Sequence, residues 1–223
     1  MNAVGGLPGA LALAWFVLCW LGYQLYANYW NRERSLMGAT ASHRVRWMEQ
    51  MVARDVRILD STLLQTQAQS VSFFASTSIL ILGGLVALLG ARDEAQAMVS
   101  GVPFAEKTDA LGWELRIGLL LVIFIYAFFK FTWSMRQYNY VALLIGATPP
   151  VGHPDCSQSA SRAARMSHLA VDHFNEGIRA YYFGLAAIGW FIHPWVFAAA
   201  TTWVVLVLWR REFHSRTLAA LRD

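Results

Sequence analysis

The chain has 223 residues, 57% of them hydrophobic and 14% charged, with ten tryptophans and a formal net charge of +4. Soluble domains carry about a quarter charged residues, so this composition excludes an ordinary soluble domain and points to a membrane protein. The basic excess comes from sixteen arginines and two lysines, Lys107 and Lys130. The arginines border apolar runs, which implies contact with a lipid bilayer and its anionic headgroups rather than nucleic acid.

Residues 7–30 form the first run long enough to cross a hydrocarbon core of roughly 30 Å as a helix. The run has no positive n-region and no small-residue cleavage site, and it exceeds a typical signal-peptide core, so it reads as a retained span. Cys19 lies inside it and Cys156 in a polar loop, a placement that does not suit a disulfide.

Beyond this span, Val45, Met48, Val52, Val56, Leu59 and Leu63 recur every three or four residues. That period predicts a basic amphipathic helix over about 42–68, capped by Thr40 or Ser42. It would lie on the anionic leaflet or pack against another cytoplasmic helix.

The second span is expected over 71–90. Thr62, Gln65, Gln69, Ser72 and Ser76 make a polar stripe at its start, with Gly83 further along. Such groups are costly facing lipid, so the stripe is expected to face the bundle interior or a water-filled cavity. Interhelical hydrogen bonding is one role for it and a hydrophilic pathway the other.

The third span is expected over about 114–133, its helix continuing to Gly146 and the Pro149-Pro150 pair. Lys130 is placed to snorkel toward the headgroups. Arg136, Gln137, Tyr138, Asn139 and Tyr140 follow as a polar-aromatic cluster suited to anchoring a helix at the interface. Ser157 or Ser159 is the expected cap of the next helix.

The apolar region 178–209 is too long for one simple span, and His193-Pro194 interrupts it. Charge decides its reading. Residues 31–70 hold six arginines and residues 134–180 four, whereas 91–116 hold three basic residues against five acidic ones. The positive-inside rule then makes the first two segments cytoplasmic and the third external, with the amino terminus outside. Arg210, Arg211, Arg216 and Arg222 return to the cytoplasm only if 178–209 forms two helices meeting at His193-Pro194. The expected architecture is therefore an all-α, polytopic transmembrane bundle, one domain, with extended cytoplasmic helices. Its five spans lie at about 7–30, 71–90, 114–133, 175–192 and 195–211. Arg179 would snorkel to the headgroups, and His193 would satisfy a backbone group at the outer turn.

Asp172, Asn175, Glu176 and Arg179 share a helical face at the membrane boundary, with His168 and His173 at neighbouring turns. An ion-pair network of Asp172 or Glu176 with Arg179 neutralises charge near lipid. A divalent-cation site and a site for substrate or protons are the alternatives, although the spacing matches no metal motif. Phosphate-binding glycine loops, GxSxG, HExxH and paired-cysteine motifs are missing from the sequence, and no residue is assigned to catalysis or to a cofactor.

Five blocks in order carry a family resemblance: RVRWMEQM at 44–51, SVSFFASTSILILGG at 70–84, IYAFFKFTWSMRQYNY at 125–140, HFNEGIRAYYF at 173–183 and WRREFHSR at 209–216. They resemble the membrane proteins of domain-of-unknown-function family 599, found chiefly in bacteria with relatives in plants. The resemblance implies a multi-pass helical membrane protein and supplies no catalytic residue. The expected role is an accessory or scaffold component of the cytoplasmic membrane, as a homo-oligomer or with a membrane-protein partner. A small-solute or ion transporter using the stripe on the second span is the alternative, and a lipid-modifying enzyme the third.

Overall fold

The computed structural model describes residues 6–94, 96, 101 and 109–222, which are mainly helical and contain no strand. The first five residues, most of the expected external connection (Glu106 and Lys107 among it) and Asp223 lie outside the described residues.

Helix α1 (Gly6–Leu25) widens over its last turn, Tyr26–Trp30, where the Asn31 amide reaches back five residues to the Tyr26 carbonyl (3.1 Å). Helix α2 (Leu36–Val52) begins at Ser35, whose hydroxyl accepts from the Gly38 amide (3.2 Å). Such a cap satisfies an orphan donor of the first turn. Thr40 and Ser42, expected as caps, lie within the helix and bond its carbonyls instead. The long helices α3 (Ile58–Gly90), α4 (Ala110–Gly146) and α5 (Cys156–Ile188) follow. A tight turn over Gly189–Phe191 leads to α6 (Pro194–Phe213) and the short α7 (Arg216–Ala220). Neither Ser157 nor Ser159 caps α5, which starts after Asp155.

The helix expected over 42–68 does not exist as one element. The chain breaks over 53–57, and 58–68 belongs to the span helix α3. Asp60, fully buried, holds the break: its Oδ1 accepts from Trp47 Nε1 (2.7 Å) and from Arg54 Nη1 (2.6 Å). Those bonds fold α2 back beside the first turn of α3. Met48 and Met51 are buried, while Val56, Leu59 and Leu63 are exposed, so the apolar period spans two helices with different neighbours. Arg57 ties the same corner to the end of α4, donating to the Thr148 and Pro149 carbonyls (2.8 Å each).

Three helical stretches, Gly6–Trp30, Ile58–Gly90 and Ala110–Gly146, are long and apolar enough to cross a membrane. Along α4, Arg116 and Arg136 stand about 30 Å apart at 1.5 Å per residue, the thickness of a hydrocarbon core. The region 178–209 is a helical hairpin. His193 takes an extended backbone (φ −162°, ψ 145°), its Nδ1 accepts from the Trp195 amide (3.2 Å), and Pro194 opens α6. Proline suits that position because its missing N–H is an orphan donor anyway. Trp190 stacks on Phe197 beside the turn, and Arg211 meets Tyr182 two turns or more away, so α5 and α6 run antiparallel.

Other contacts set the remaining directions. Trp15–Thr202 and Tyr23–Glu212 make α1 parallel to α6. Lys130–Glu176 and Ser134–Ala170 make α4 antiparallel to α5, and Arg57–Thr148 with Phe74–Phe131 makes α3 antiparallel to α4. Direction therefore alternates through α1, α3, α4, α5 and α6.

Helix α5 lies at the centre. Its small face, including Ala163, Ala170, Gly177, Ala180, Gly184 and Ala187, packs on α4. Small residues let helix backbones approach closely where packing must drive association. The approach is tightest at Gly177, where an added Cβ would lie 2.6 Å from the Phe131 ring. Helix α3 is peripheral and packs chiefly on α4.

Candidate functional site

A connected cluster of polar residues lies where α1, α4, α5 and α6 meet. Arg179, only 3% exposed, does not snorkel. Its Nε donates to Glu212 Oε1 (2.9 Å) and its Nη2 to Glu212 Oε2 (3.1 Å), a two-pronged pair that matches guanidinium to carboxylate geometry. Its Nη1 donates to Asn28 Oδ1 (2.7 Å) and Gln24 Oε1 (3.3 Å). The Tyr23 hydroxyl also donates to Glu212 Oε2 (2.9 Å), and the guanidinium sits 5.6 Å from the Tyr23 ring centre.

Asn28 extends the network through its other end. Its Nδ2 donates to Glu176 Oε1 (2.9 Å), and Glu176 Oε2 pairs with Lys130 Nζ. Lys130 lies 5.4 Å from the Tyr126 ring centre, so it too points inward. Two cations and two carboxylates thus form a charge-balanced chain, Lys130–Glu176–Asn28–Arg179–Glu212. The widened turn of α1 carries Asn28 into that chain; such turns recur at functional positions.

The ion pairing differs from the expected one. Glu176 engages Lys130 and Asn28, while Arg179 engages a carboxylate thirty-three residues away. Asp172, Asn175 and Arg179 do come together, lining a cavity of about 10 Å³ with Asn28, which has room for about one water. The Asn175 side-chain amide donates to the Val171 carbonyl (2.8 Å). His173 turns away, bonded to the Leu169 carbonyl (2.8 Å) and edge-on to Trp133. No group of three or more potential metal ligands occurs among the described residues.

The second-span stripe does not face the bundle interior. Gln69, Ser72 and Ser76 are exposed on the outer side of α3, while Thr62 and Gln65, also exposed, line an open groove of about 420 Å³ with Ala142 and Ile145 of α4. Gly83 also looks into open space. The inner side of α3 is aromatic: Phe74 contacts Phe131, Phe174 and Tyr181. The Tyr181 hydroxyl donates to the Phe74 carbonyl (3.1 Å) and lies 2.9 Å from the Ser78 hydroxyl.

At the end of the third span, Arg136 donates to the Tyr140 hydroxyl (2.8 Å) and lies over the Trp133 and Tyr140 rings. Asn139 is exposed beside it, whereas Tyr138 is buried. His193 satisfies the Trp195 amide at the turn.

Tyr23, Gln24, Asn28 and Glu212 were not legible as site residues from local spacing with Arg179. Two signals do exist in the sequence. Gln24 and Asn28 are four apart on one face of an otherwise apolar helix. Glu212 is an acid set among Arg210, Arg211 and Arg216, at a helix C-terminus where a negative charge is unfavourable without a cationic partner.

An all-helical bundle with three membrane-length helices and an internal ion-pair network defines a multi-pass membrane protein. Residues 11–217 match the family described as Protein of unknown function, DUF599, and the chain belongs to that family. No curated protein and no solved structure matches it.

Proposed function

We propose that the protein is a scaffold or accessory subunit of the cytoplasmic membrane, acting through helix contacts rather than chemistry of its own. It crosses the bilayer five times, through α1, α3, α4, α5 and α6, with the amino terminus outside and the carboxy terminus in the cytoplasm. The alternating helix directions support this count, and the arginines on α2, α5 and α7 support the orientation. The hairpin helices, less continuously apolar than the other three, cross because the bundle covers the buried face of α5, and the amphipathic α2 lies below.

The observation that carries the reading is the outward polar stripe of α3. Gln69, Ser72 and Ser76 lie on a helix face that no other element among the described residues covers, and Gln65 borders an open groove against Ala142 and Ile145 of α4. In a bilayer such a face favours a second helix, each interhelical hydrogen bond contributing about 0.6 kcal/mol. The stripe is uncharged and can both donate and accept, so it suits a second copy of the chain or a similarly polar helix of another membrane protein. Transport through one subunit would need the stripe and Arg179 to share a wet cavity. Instead Phe74, Phe131, Phe174 and Tyr181 fill the space between α3 and α5.

Cysteine placement tests this reading. In a background carrying Cys19→Ala and Cys156→Ser, Ser76→Cys and Gln69→Cys should form one discrete cross-linked species when native membranes are oxidised. Val122→Cys, exposed on α4, should not. Absence of cross-linking at both α3 positions, together with solute flux in vesicles that Arg179→Met abolishes, would overturn it.

A further inference from the structure

We propose that the seam between α1 and α6 is a binding site for one anionic phospholipid of the cytoplasmic leaflet, an acyl chain in the groove and the phosphate on Arg210. This goes beyond the scaffold reading and depends only on the hairpin's basic end facing the cytoplasm.

The groove occupies about 470 Å³, is open along one side and is almost wholly apolar. That volume lies within the range of small-molecule pockets, roughly 300–1,000 Å³. It exists because α1 presents Gly22 and the small Cys19 opposite Val205 and Leu206 of α6. A Cβ built on Gly22 meets nothing within 4 Å, so the space there is unfilled by the protein. Leu18 and Leu206, at its edges, are 67% and 53% exposed, which places the groove on the outer, lipid-facing side of the bundle. In a bilayer a lipid acyl chain has the shape and polarity to occupy it.

Charge at one end selects the headgroup. Trp209 closes the groove, and Arg210 follows one turn after Leu206 on the same side of α6. Arg210 is exposed, and its guanidinium has no hydrogen bond or ion pair among the described residues. Its neighbour Arg211 is engaged with Tyr182, and the nearby acid, Glu212, is held by Arg179 and Tyr23. Among the described residues no local carboxylate therefore competes for Arg210, and Arg216 and Arg222 add positive charge just beyond. An indole, an apolar trough and an unpaired guanidinium in that order match ring level, chain and phosphate of a lipid at an interface.

The test uses the purified full chain, delipidated in detergent, with phosphatidylglycerol and phosphatidylcholine of identical acyl chains, read by native mass spectrometry. The wild-type protein should retain one phosphatidylglycerol in preference to phosphatidylcholine. Arg210→Gln should lower that preference about fivefold, the share of one arginine near an anionic surface, while leaving phosphatidylcholine retention unchanged. Gly22→Leu, which fills the groove, should weaken retention of both lipids about tenfold or more. Should Gly22→Leu fail to fold, Cys19→Phe replaces it. A third readout needs no bulky variant: in a Cys156→Ser background, phosphatidylglycerol should slow N-ethylmaleimide modification of Cys19. Equal retention of the two lipids by the wild-type chain would overturn the headgroup assignment. Unchanged retention in the groove-filling variant, or unprotected Cys19, would overturn the site.

Discussion

Replacing Arg179 with methionine leaves Glu212 at the meeting point of α1, α5 and α6 with one remaining partner, the Tyr23 hydroxyl. The change removes four hydrogen bonds, two to the carboxylate and one each to Asn28 and Gln24. Glu212 is 14% exposed in its side chain, so water restores little of what is lost. Removing one member of a buried pair costs about 3–5 kcal/mol, because the other charge stays desolvated. The double variant Arg179→Met/Glu212→Met has no stranded charge. Its residual cost is the polar atoms left on Tyr23, Asn28 and Gln24, about 1–3 kcal/mol for each unsatisfied group that water cannot reach. The double variant should therefore be less destabilised than the sum of the single ones, with a coupling free energy of about 1–3 kcal/mol. The assay is unfolding in mixed dodecylmaltoside–dodecylsulfate micelles, followed by far-ultraviolet dichroism, for the wild type, both single variants and the double. A cost below about 1 kcal/mol for Arg179→Met, or simple additivity, would refute the pairing.

Other perturbations have separate readouts. Gly177→Ala should destabilise the bundle by about 1–3 kcal/mol, since its Cβ would lie 2.6 Å from the Phe131 ring, while Gly83→Ala, in open space, should unfold like the wild type in the same micelles. His193→Ala should cost about 1 kcal/mol through loss of the cap on α6, and His193→Asn should recover most of it in the same unfolding series. Asp60→Ala removes the acceptor that folds α2 back on α3, so trypsin should cut at Arg54 or Arg57 faster than in the wild type, as followed by mass spectrometry of the fragments.

The parts legible in the sequence were those governed by local rules. Proline at 194 and the arginines after Trp209 required a reversal, and the structure reverses there with His193 as the cap. The helix of the third expected span, α4, ends at Gly146, before Pro149-Pro150, as expected. Helical spacing also identified Gln65, Gln69, Ser72 and Ser76 as one face, but spacing does not say which neighbour covers a face. Because α3 packs chiefly on α4, with Val71, Ala75 and Ser78 buried, the polar side is left outward. Arg179 shows the same limit: Glu176 is nearer in sequence, yet the inward turn of Lys130 engages Glu176, and Glu212 comes from the far arm of the hairpin. The apolar period through 45–63 concealed the break at 53–57, which has neither glycine nor proline to mark it and depends on bonds from Trp47 and Arg54 to Asp60.

The proposed five-span arrangement underlies the depth assigned to the ion-pair network, the outward stripe and the lipid groove, and membrane sidedness measures it most directly. In the background lacking both native cysteines, single cysteines at His193, Arg162 and Arg222 would be labelled with a membrane-impermeant maleimide, before and after permeabilising intact cells. The five-span account predicts immediate labelling at position 193 and labelling at 162 and 222 only after permeabilisation. Labelling of position 222 in intact cells, on the same side as position 193, would contradict it.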